Sequence, residues 1–138
     1  MADEMEERYA AGMRWFDEAD MDREFAEFAM QSEHRVRRAC FHAQQCVEKD
    51  IKAFLTLVDI DALRTHELHT LVTQCAEADP AFSVWAERLG GLSDYPVETR
   101  YPDGPETTMA EAREAMALVE QFRLFVQERV AVYRGETQ

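Results

Sequence analysis

The amino-acid sequence predicts an all-α protein, an up-and-down antiparallel helical bundle of three long helices and two short ones. Long stretches contain neither Gly nor Pro, apolar residues recur within them at steps of three and four, and no alternation of period two is sustained enough for a strand. The chain has 138 residues, 46% of them apolar, which suits one hydrophobic core. We therefore expect a single domain over residues 1–138.

The first helix is predicted from about Glu6 to Gln31, a segment rich in Ala, Glu, Met and Arg. Its apolar spacing slips in phase near Asp20, so we expect one long helix that is straight or bent there. The side chains expected on its buried face are Tyr9, Met13, Phe16, Phe25 and Phe28.

The second helix, from about Glu33 to Val58, carries the clearest amphipathic pattern of the chain. Steps of three and four place its apolar residues on one face, which predicts a central, core-facing helix. These residues are Val36, Cys40, Ala43, Val47, Ile51, Phe54 and Val58.

Two short helices are predicted from their capping residues. Thr65 can cap a third helix that runs to about Ala78, and Asp79 followed by Pro80 supplies an N-cap and a first-turn proline for a fourth. The apolar residues of the fourth helix are Phe82, Trp85 and Leu89.

The last helix begins with a capping-box pattern, because Thr108 is followed three positions later by Glu111. We expect it to run to Arg134 and to stop at Gly135. Its apolar face is Ala112, Met116, Val119, Phe122, Val126, Val130 and Tyr133.

Charge and cysteine content limit the partners and the compartment. The formal net charge is -13, which argues against nonspecific DNA binding, because a phosphate backbone is bound mainly through Lys and Arg. The three cysteines, Cys40, Cys46 and Cys75, are odd in number, have no CxxC spacing and are expected to be small buried side chains. No apolar leader and no apolar run of membrane-spanning length appears, so we expect a cytoplasmic protein without a membrane segment.

One stretch, residues 34–53, reverses the acidic trend of the chain. It holds five basic residues, and only Glu48 and Asp50 are acidic. This local basic patch can face a nucleotide phosphate, RNA or an acidic partner, or it can be a solvated face paired with Glu48 and with acids of the first helix. The basic residues are Arg35, Arg37, Arg38, Lys49 and Lys52.

Four segments follow one another in a recognisable order: residues 39–49 (ACFHAQQCVEK), 52–53 (KA), 64–68 (RTHEL) and 95–102 (YPVETRYP). Together they resemble the HEPN family (higher eukaryotes and prokaryotes nucleotide-binding), and the likeness extends from about Trp15 to Val130. The resemblance implies a helical bundle, commonly a homodimer, that is often encoded beside a minimal nucleotidyltransferase in toxin-antitoxin pairs. Some members are metal-independent ribonucleases.

We therefore expect a nucleotide-binding and interaction module that acts with a minimal nucleotidyltransferase. Its phosphate-binding residues are expected among Arg35, Lys49 and Lys52, and in a loop bracketed by prolines where Arg100 can fork onto phosphate and Tyr101 can stack on a base. No cofactor and no metal are expected, because the His66 and His69 pair lacks the HExxH spacing and a third ligand.

Two alternatives stay open. In a ribonuclease toxin, His42 would be the base and an Arg would stabilise the phosphorane, since the resemblance attributes cleavage to an Arg-x4-6-His motif. Arg37 satisfies this spacing but lies about 140° from His42 on a helix, whereas Arg38 lies within about 40°. Arg35 also satisfies the spacing, at about 20°, but no His follows Arg100 late in the chain, where ribonuclease members usually carry the motif. The other alternative is a purely structural helical assembly domain.

Overall fold

A computed structural model gives the structure of residues 2–94 and 107–136, and within these ranges the chain is helical without a strand. The described helices number five, three long and two short, which confirms the predicted all-α fold. They are α1 (Ala2–Ala29), α2 (Val36–Leu57), α3 (Leu68–Ala78), α4 (Trp85–Arg88) and α5 (Met109–Tyr133).

Helix α2 is the centre of the bundle and packs against α1, α3 and α5. Its contact with α1 is unusually close at Gly12, where a Cβ atom would come within 2.9 Å of the Ala53 carbonyl oxygen. The inward face of α1 continues with the small residues Ala19, Ala26 and Ala29, all buried. Small side chains let the two helix axes approach each other.

The prediction that Phe25 and Phe28 lie on the buried face of α1 is wrong. Their exposed fractions are 54% and 57%, and α1 runs without interruption from Ala2 to Ala29. Because the helix has no phase slip, the alanines keep the inward positions, and the two large rings face outward. The prediction failed because it placed the large apolar side chains inside, whereas in this part of α1 the large side chains are exposed and the alanines are buried.

The connection between α2 and α3 is held by two buried glutamines. The Gln74 amide donates to the Asp61 carbonyl oxygen and accepts from the Leu63 N–H, both at 2.9 Å. The Gln44 Nε2 group donates to the His66 carbonyl oxygen at 3.2 Å. These bonds satisfy backbone groups that no regular element pairs, and they fix the path of residues 58–67.

The predicted cap at Thr65 is wrong by two residues. Helix α3 begins at Leu68 with Glu67 in the N-cap position. The Thr65 hydroxyl instead accepts a hydrogen bond from the Glu67 N–H at 3.1 Å. A threonine can make such a local turn as readily as a cap, and the sequence pattern does not separate the two outcomes.

The predicted caps at Asp79 and Thr108 are confirmed, whereas α1 begins four residues before the predicted Glu6, and a 3-10 turn at Glu33–Arg35 precedes α2. Asp79 accepts a hydrogen bond from the Ala81 N–H at 3.1 Å, and Pro80 begins a 3-10 turn that continues into α4. Thr108 and Glu111 form the reciprocal capping box at the start of α5. Trp85, the first residue of α4, packs against the middle of α5 in an aromatic cluster formed by Phe54, Phe82, Trp85, Phe122 and Phe125.

None of the helices described by the structure combines the length and apolar character needed to cross a membrane.

Candidate functional site

A buried carboxylate on α1 organises the basic face of α2. Asp22 is only 7% exposed. Its Oδ1 atom lies 2.9 Å from Nδ1 of His42, and its Oδ2 atom lies 2.5 Å from Nζ of Lys49. One carboxylate therefore holds two of the predicted site residues, and we call Asp22, His42, Lys49 and the neighbouring Arg38 the His42 cluster.

The contact with Asp22 gives the His42 ring a defined chemistry. When Nδ1 carries the hydrogen, it donates to the carboxylate, and Nε2 is left as the nitrogen that can accept a proton. The ring is half-buried, and its centroid lies 5.4 Å from the centroids of both Phe25 and Phe41. His42 thus combines a fixed imidazole with adjacent aromatic surface, an arrangement that can orient a base or transfer a proton.

The predicted arginines differ in their relation to His42. Arg38 lies one helical turn before His42, is exposed, and forms no hydrogen bond or ion pair with the residues that the structure describes. Arg35 lies in a 3-10 turn before α2, and its guanidinium carbon is 5.4 Å from the Phe28 ring centroid. Arg37 is half-buried on a different side of α2. Arg38 is therefore the arginine that the fold places on the same face as His42.

Lys52 belongs to a second, separate group. It lies ten positions after His42, which is about 15 Å along a helix axis. Its Nζ atom is 3.0 Å from Oε2 of Glu48, and Oε1 of Glu48 is 2.9 Å from Nδ1 of His66. Glu48 is 3% exposed, so a buried carboxylate again holds two basic groups. A single phosphate cannot contact Lys52 and Arg38 together.

These contacts partly neutralise the basic patch. Lys49 and Lys52 each pair with a carboxylate, which is the solvated-face alternative foreseen from the sequence. Among the predicted site residues within α2, Arg38 alone is an exposed cation that has no carboxylate partner in the part of the chain that the structure describes. Arg100 and Tyr101, the other predicted phosphate- and base-binding residues, lie outside the described residues.

A third charged group, missed by the sequence analysis, lies inside the bundle. Arg123 of α5 is 3.2 Å from an oxygen of Asp20, and its other contacts are Asp50, at 3.9 Å, and the Cys46 sulfur, at 3.8 Å. Burial raises the pKa of Asp50 to about 7, although Arg123 opposes this shift. Burial also raises the pKa of the Cys46 thiol. This group joins α1, α2 and α5.

A signal for the buried charges was present in the sequence. Asp22 interrupts the inward stripe of Ala19 and Ala26, and Arg123 interrupts the stripe of Val119 and Val126. Charged residues on an apolar face are rarely buried unless they are paired. Such interruptions can therefore identify candidate partners, but the helical period does not say which residues pair.

An apolar patch borders the His42 cluster. It consists of Met21, Phe25 and Phe28, each more than half exposed, which with Glu24 line a shallow hollow of about 380 Å³. Contiguous exposed apolar side chains of this kind are typical of interaction surfaces. We refer to these three residues as the α1 patch.

Comparison with known proteins gives the family and the fold. The HEPN domain model matches residues 13–129. A crystal structure described as that of an archaeal HEPN homologue is similar to this chain, with a TM-score of 0.63 and 23% sequence identity, over 86% of this chain and 97% of the other. No curated protein matches the chain.

Proposed function

The chain belongs to the HEPN domain family, and on that premise we propose that it is a cytoplasmic nucleotide-binding and interaction module that acts with a minimal nucleotidyltransferase in a toxin-antitoxin-type pair. The observation that carries this proposal is the His42 cluster. There, an exposed Arg38 lies on the same helix face as an imidazole that Asp22 holds by its Nδ1 atom. A guanidinium can fork onto a phosphate, and an imidazole flanked by aromatic rings can hold a base.

The charge distribution supports a local rather than an extended nucleic-acid site. The chain carries a net charge of -13, so phosphate is repelled over most of its surface. Arg38 has no carboxylate partner among the described residues, whereas Lys49 and Lys52 have one each. A ligand with few phosphates therefore fits this surface better than a long polyanion.

The α1 patch supports a homodimer, in which the His42 cluster would lie beside the interface. The edge of the patch carries both charges, because Glu24 lines the same hollow and the Arg35 guanidinium carbon lies 5.4 Å from the Phe28 ring centroid. A two-fold interface that brings Glu24 of one copy close to Arg35 of the other would add ion pairs to the apolar contact.

Isothermal titration with ATP and GTP, carried to millimolar concentration, tests nucleotide binding. We expect Arg38→Ala to weaken binding about tenfold or more, as for the loss of a charge-assisted hydrogen bond. Arg113→Ala is the matched control, because Arg113 is an exposed arginine on α5. No heat with any nucleotide, from a protein that remains folded, would contradict the proposal and leave the assembly-domain alternative.

Co-expression tests the partner. A minimal nucleotidyltransferase encoded beside this gene should co-purify with the tagged chain, and the variants Phe25→Ser and Arg38→Ala will show whether it contacts the α1 patch or the His42 cluster. Failure of such a neighbour to bind either the wild type or the variants would contradict the paired function.

Metal-independent RNA cleavage is a second candidate, which the contact between Asp22 and His42 favours. Cleavage needs a base for the 2′-hydroxyl proton and a cation for the phosphorane charge. His42, whose Nδ1 atom contacts Asp22, would serve as the base, and Arg38 would serve as the cation. Arg37, which the motif spacing selects, is the weaker candidate because it lies about 140° around the helix from His42.

Expression in bacteria separates the two candidates. A ribonuclease should arrest growth, cleave RNA in the presence of EDTA, and lose both effects in the His42→Ala variant. A binding module should leave growth unchanged. Harmless overexpression of the wild type, together with intact RNA after incubation, would rule against the ribonuclease.

A further inference from the structure

A groove runs between α1, the second half of α2 and the connection of residues 58–67. It consists of two hollows, of about 410 and 340 Å³, and Lys52 and Ala62 line both of them. Sites for small ligands are typically about 300–1,000 Å³, so each hollow can accept one ring-sized unit. We call this feature the Trp15 groove, because Trp15 supplies its aromatic side chain.

The walls of the groove are fixed before any ligand binds. Gln74 and Gln44 hold the connection at Asp61, Leu63 and His66, as described above. A groove with walls held by such hydrogen bonds, which are partly buried, loses little conformational entropy on binding a ligand.

Lys52, which lines both hollows, has its ammonium group over the Trp15 ring. The Nζ atom of Lys52 lies 5.3 Å from the Trp15 ring centroid and 3.0 Å from Glu48. Beyond Lys52, the smaller hollow is lined by Arg64 and His66, and the larger one by the Thr56 hydroxyl and by carboxylates. The groove therefore offers stacking surface, a cation at its middle, and acceptors for hydroxyl or N–H donors.

The charges of the groove restrict its ligand. Its lining includes three basic side chains, Arg8, Lys52 and Arg64, and three acidic ones, Glu7, Asp59 and Asp61. Glu48 adds a fourth carboxylate behind Lys52. With His66 neutral, the local charge is slightly negative, so a triphosphate would meet repulsion, whereas the single charge of a phosphodiester can be accepted at Lys52.

We propose that the Trp15 groove binds a dinucleoside monophosphate, with one nucleoside in each hollow and the phosphodiester at Lys52, and that it discriminates against nucleoside triphosphates. One base contacts Trp15, and the ribose hydroxyls donate to the carboxylates of Asp59 and Asp61. The inference rests on the proposed nucleotide-binding function, but it names a different ligand class and a surface about 15 Å along α2 from His42.

Titration of the full chain with adenylyl-adenosine, ATP and ribose 5-phosphate tests the inference, by calorimetry and by tryptophan fluorescence. The chain has two tryptophans, and Trp85 is buried in the core, so a ligand in the groove should change the emission of Trp15. We expect adenylyl-adenosine to bind at least about tenfold more tightly than either of the other two compounds.

Variants locate the binding. Lys52→Gln and Trp15→Phe should each weaken adenylyl-adenosine binding by about threefold to thirtyfold, in line with the loss of a cation or of part of a stacking surface. Arg113→Ala is the matched control and should leave this binding unchanged, because Arg113 is an exposed arginine on α5 that lines neither hollow. Circular dichroism and thermal unfolding establish that each variant is folded, and Lys52→Gln, whose side chain is half-exposed, carries the test if Trp15→Phe is unstable.

The outcomes separate the inference from the proposed function. Tighter binding of ATP than of adenylyl-adenosine, lost in Arg38→Ala and unchanged in Lys52→Gln, would overturn the inference and leave the proposed function standing. Binding of ribose 5-phosphate as tight as that of adenylyl-adenosine would overturn it too, because no base would be needed. No binding of any of the three compounds would overturn the inference, and no binding of GTP in addition would overturn the proposed function.

Discussion

The Oδ1 atom of Asp22 on α1 lies 2.9 Å from the Nδ1 atom of His42 on α2. The two residues are twenty positions apart, and their contact joins the two helices at a point where the neighbouring inward residues of α1 are the alanines Ala19 and Ala26. The second oxygen of the same carboxylate holds Lys49. Loss of this one charge therefore leaves two basic groups without their partner.

We expect Asp22→Asn to lower the free energy of unfolding by about 1–3 kcal/mol, because Lys49 and His42 lose a nearly buried charged partner. Urea unfolding of the variant beside the wild type measures this change. Asp17→Asn is the matched control, since Asp17 is an exposed aspartate on the same helix. Equal effects of the two substitutions would show that the contact of Asp22 does not stabilise the fold.

Asp50 should make stability depend on pH. Its pKa is about 7 in the folded chain against an ordinary value of 3.8, so between these values the folded chain binds more protons than the unfolded chain. Protonated Asp50 therefore stabilises the folded chain fully below about pH 4, and this stabilisation is lost as the pH rises toward 7 and the carboxyl ionises. Asp50→Asn does not titrate, so relative to the wild type it should gain roughly 1–4 kcal/mol between pH 4 and pH 8.

Urea unfolding at several pH values measures the gain, and Asp17→Asn again controls for an ordinary carboxylate. The charged and titratable groups around Asp50 are Asp20 and Arg23 on α1, Cys46 on α2 and Arg123 on α5. A difference between variant and wild type that stays constant from pH 4 to pH 8 would show that Asp50 ionises normally in the folded chain.

Gly12 should not tolerate a methyl group. A Cβ atom there would lie 2.9 Å from the Ala53 carbonyl oxygen, so α1 would have to move away from α2. We expect Gly12→Ala to cost about 1–3 kcal/mol, although alanine is the better helix former by about 1 kcal/mol. Gly91→Ala is the control, because nothing lies within 4 Å of its added Cβ. A Gly12→Ala variant with a higher unfolding temperature than the wild type would contradict the close approach of the helices.

The α1 patch should control association. In the proposed homodimer, the double variant Phe25→Ser with Phe28→Ser would lose the central apolar contacts, so we expect it to stay monomeric at concentrations where the wild type associates. Sedimentation velocity over a range of concentrations measures this. Leu124→Ser, which removes another exposed apolar side chain (68% exposed) on a different helix, should leave the dimer intact. A dimer that survives the Phe substitutions but not Leu124→Ser would move the interface to α5.

Capping residues and apolar spacing predicted the helices well, but they did not predict which side chains pair between different helices. The side chains of Thr108 and Glu111 each bond the other residue's backbone N–H within one turn, so this capping box can be recognised from the sequence alone. The contact of Asp22 with His42 depends on how α1 is rotated against α2, and that rotation follows from packing across the interface. Side-chain size misdirected the prediction here, since Phe25 and Phe28 suggested a buried face that alanines occupy.

The candidate site shows the same division. The helical period alone favoured Arg35 and Arg38 over Arg37 as neighbours of His42 on a helix face, and the structure has Arg38 within α2 and Arg35 in the 3-10 turn before it. The role of Trp15 could not be predicted, since the groove forms only when the connection of residues 58–67 is fixed by Gln44 and Gln74. A groove residue such as Trp15 can be recognised only once the helices and the connection are packed together, and the sequence of one segment does not predict it.

The second half of α1 has its large side chains outside and its small ones inside, with Ala19, Ala26 and Ala29 buried against α2. Saturation mutagenesis of this helix should therefore reverse the familiar pattern of tolerance. Gains in volume at the alanines should be the damaging changes for folding, whereas truncation of Phe25 or Phe28 should leave the isolated fold intact and affect only what the chain assembles with.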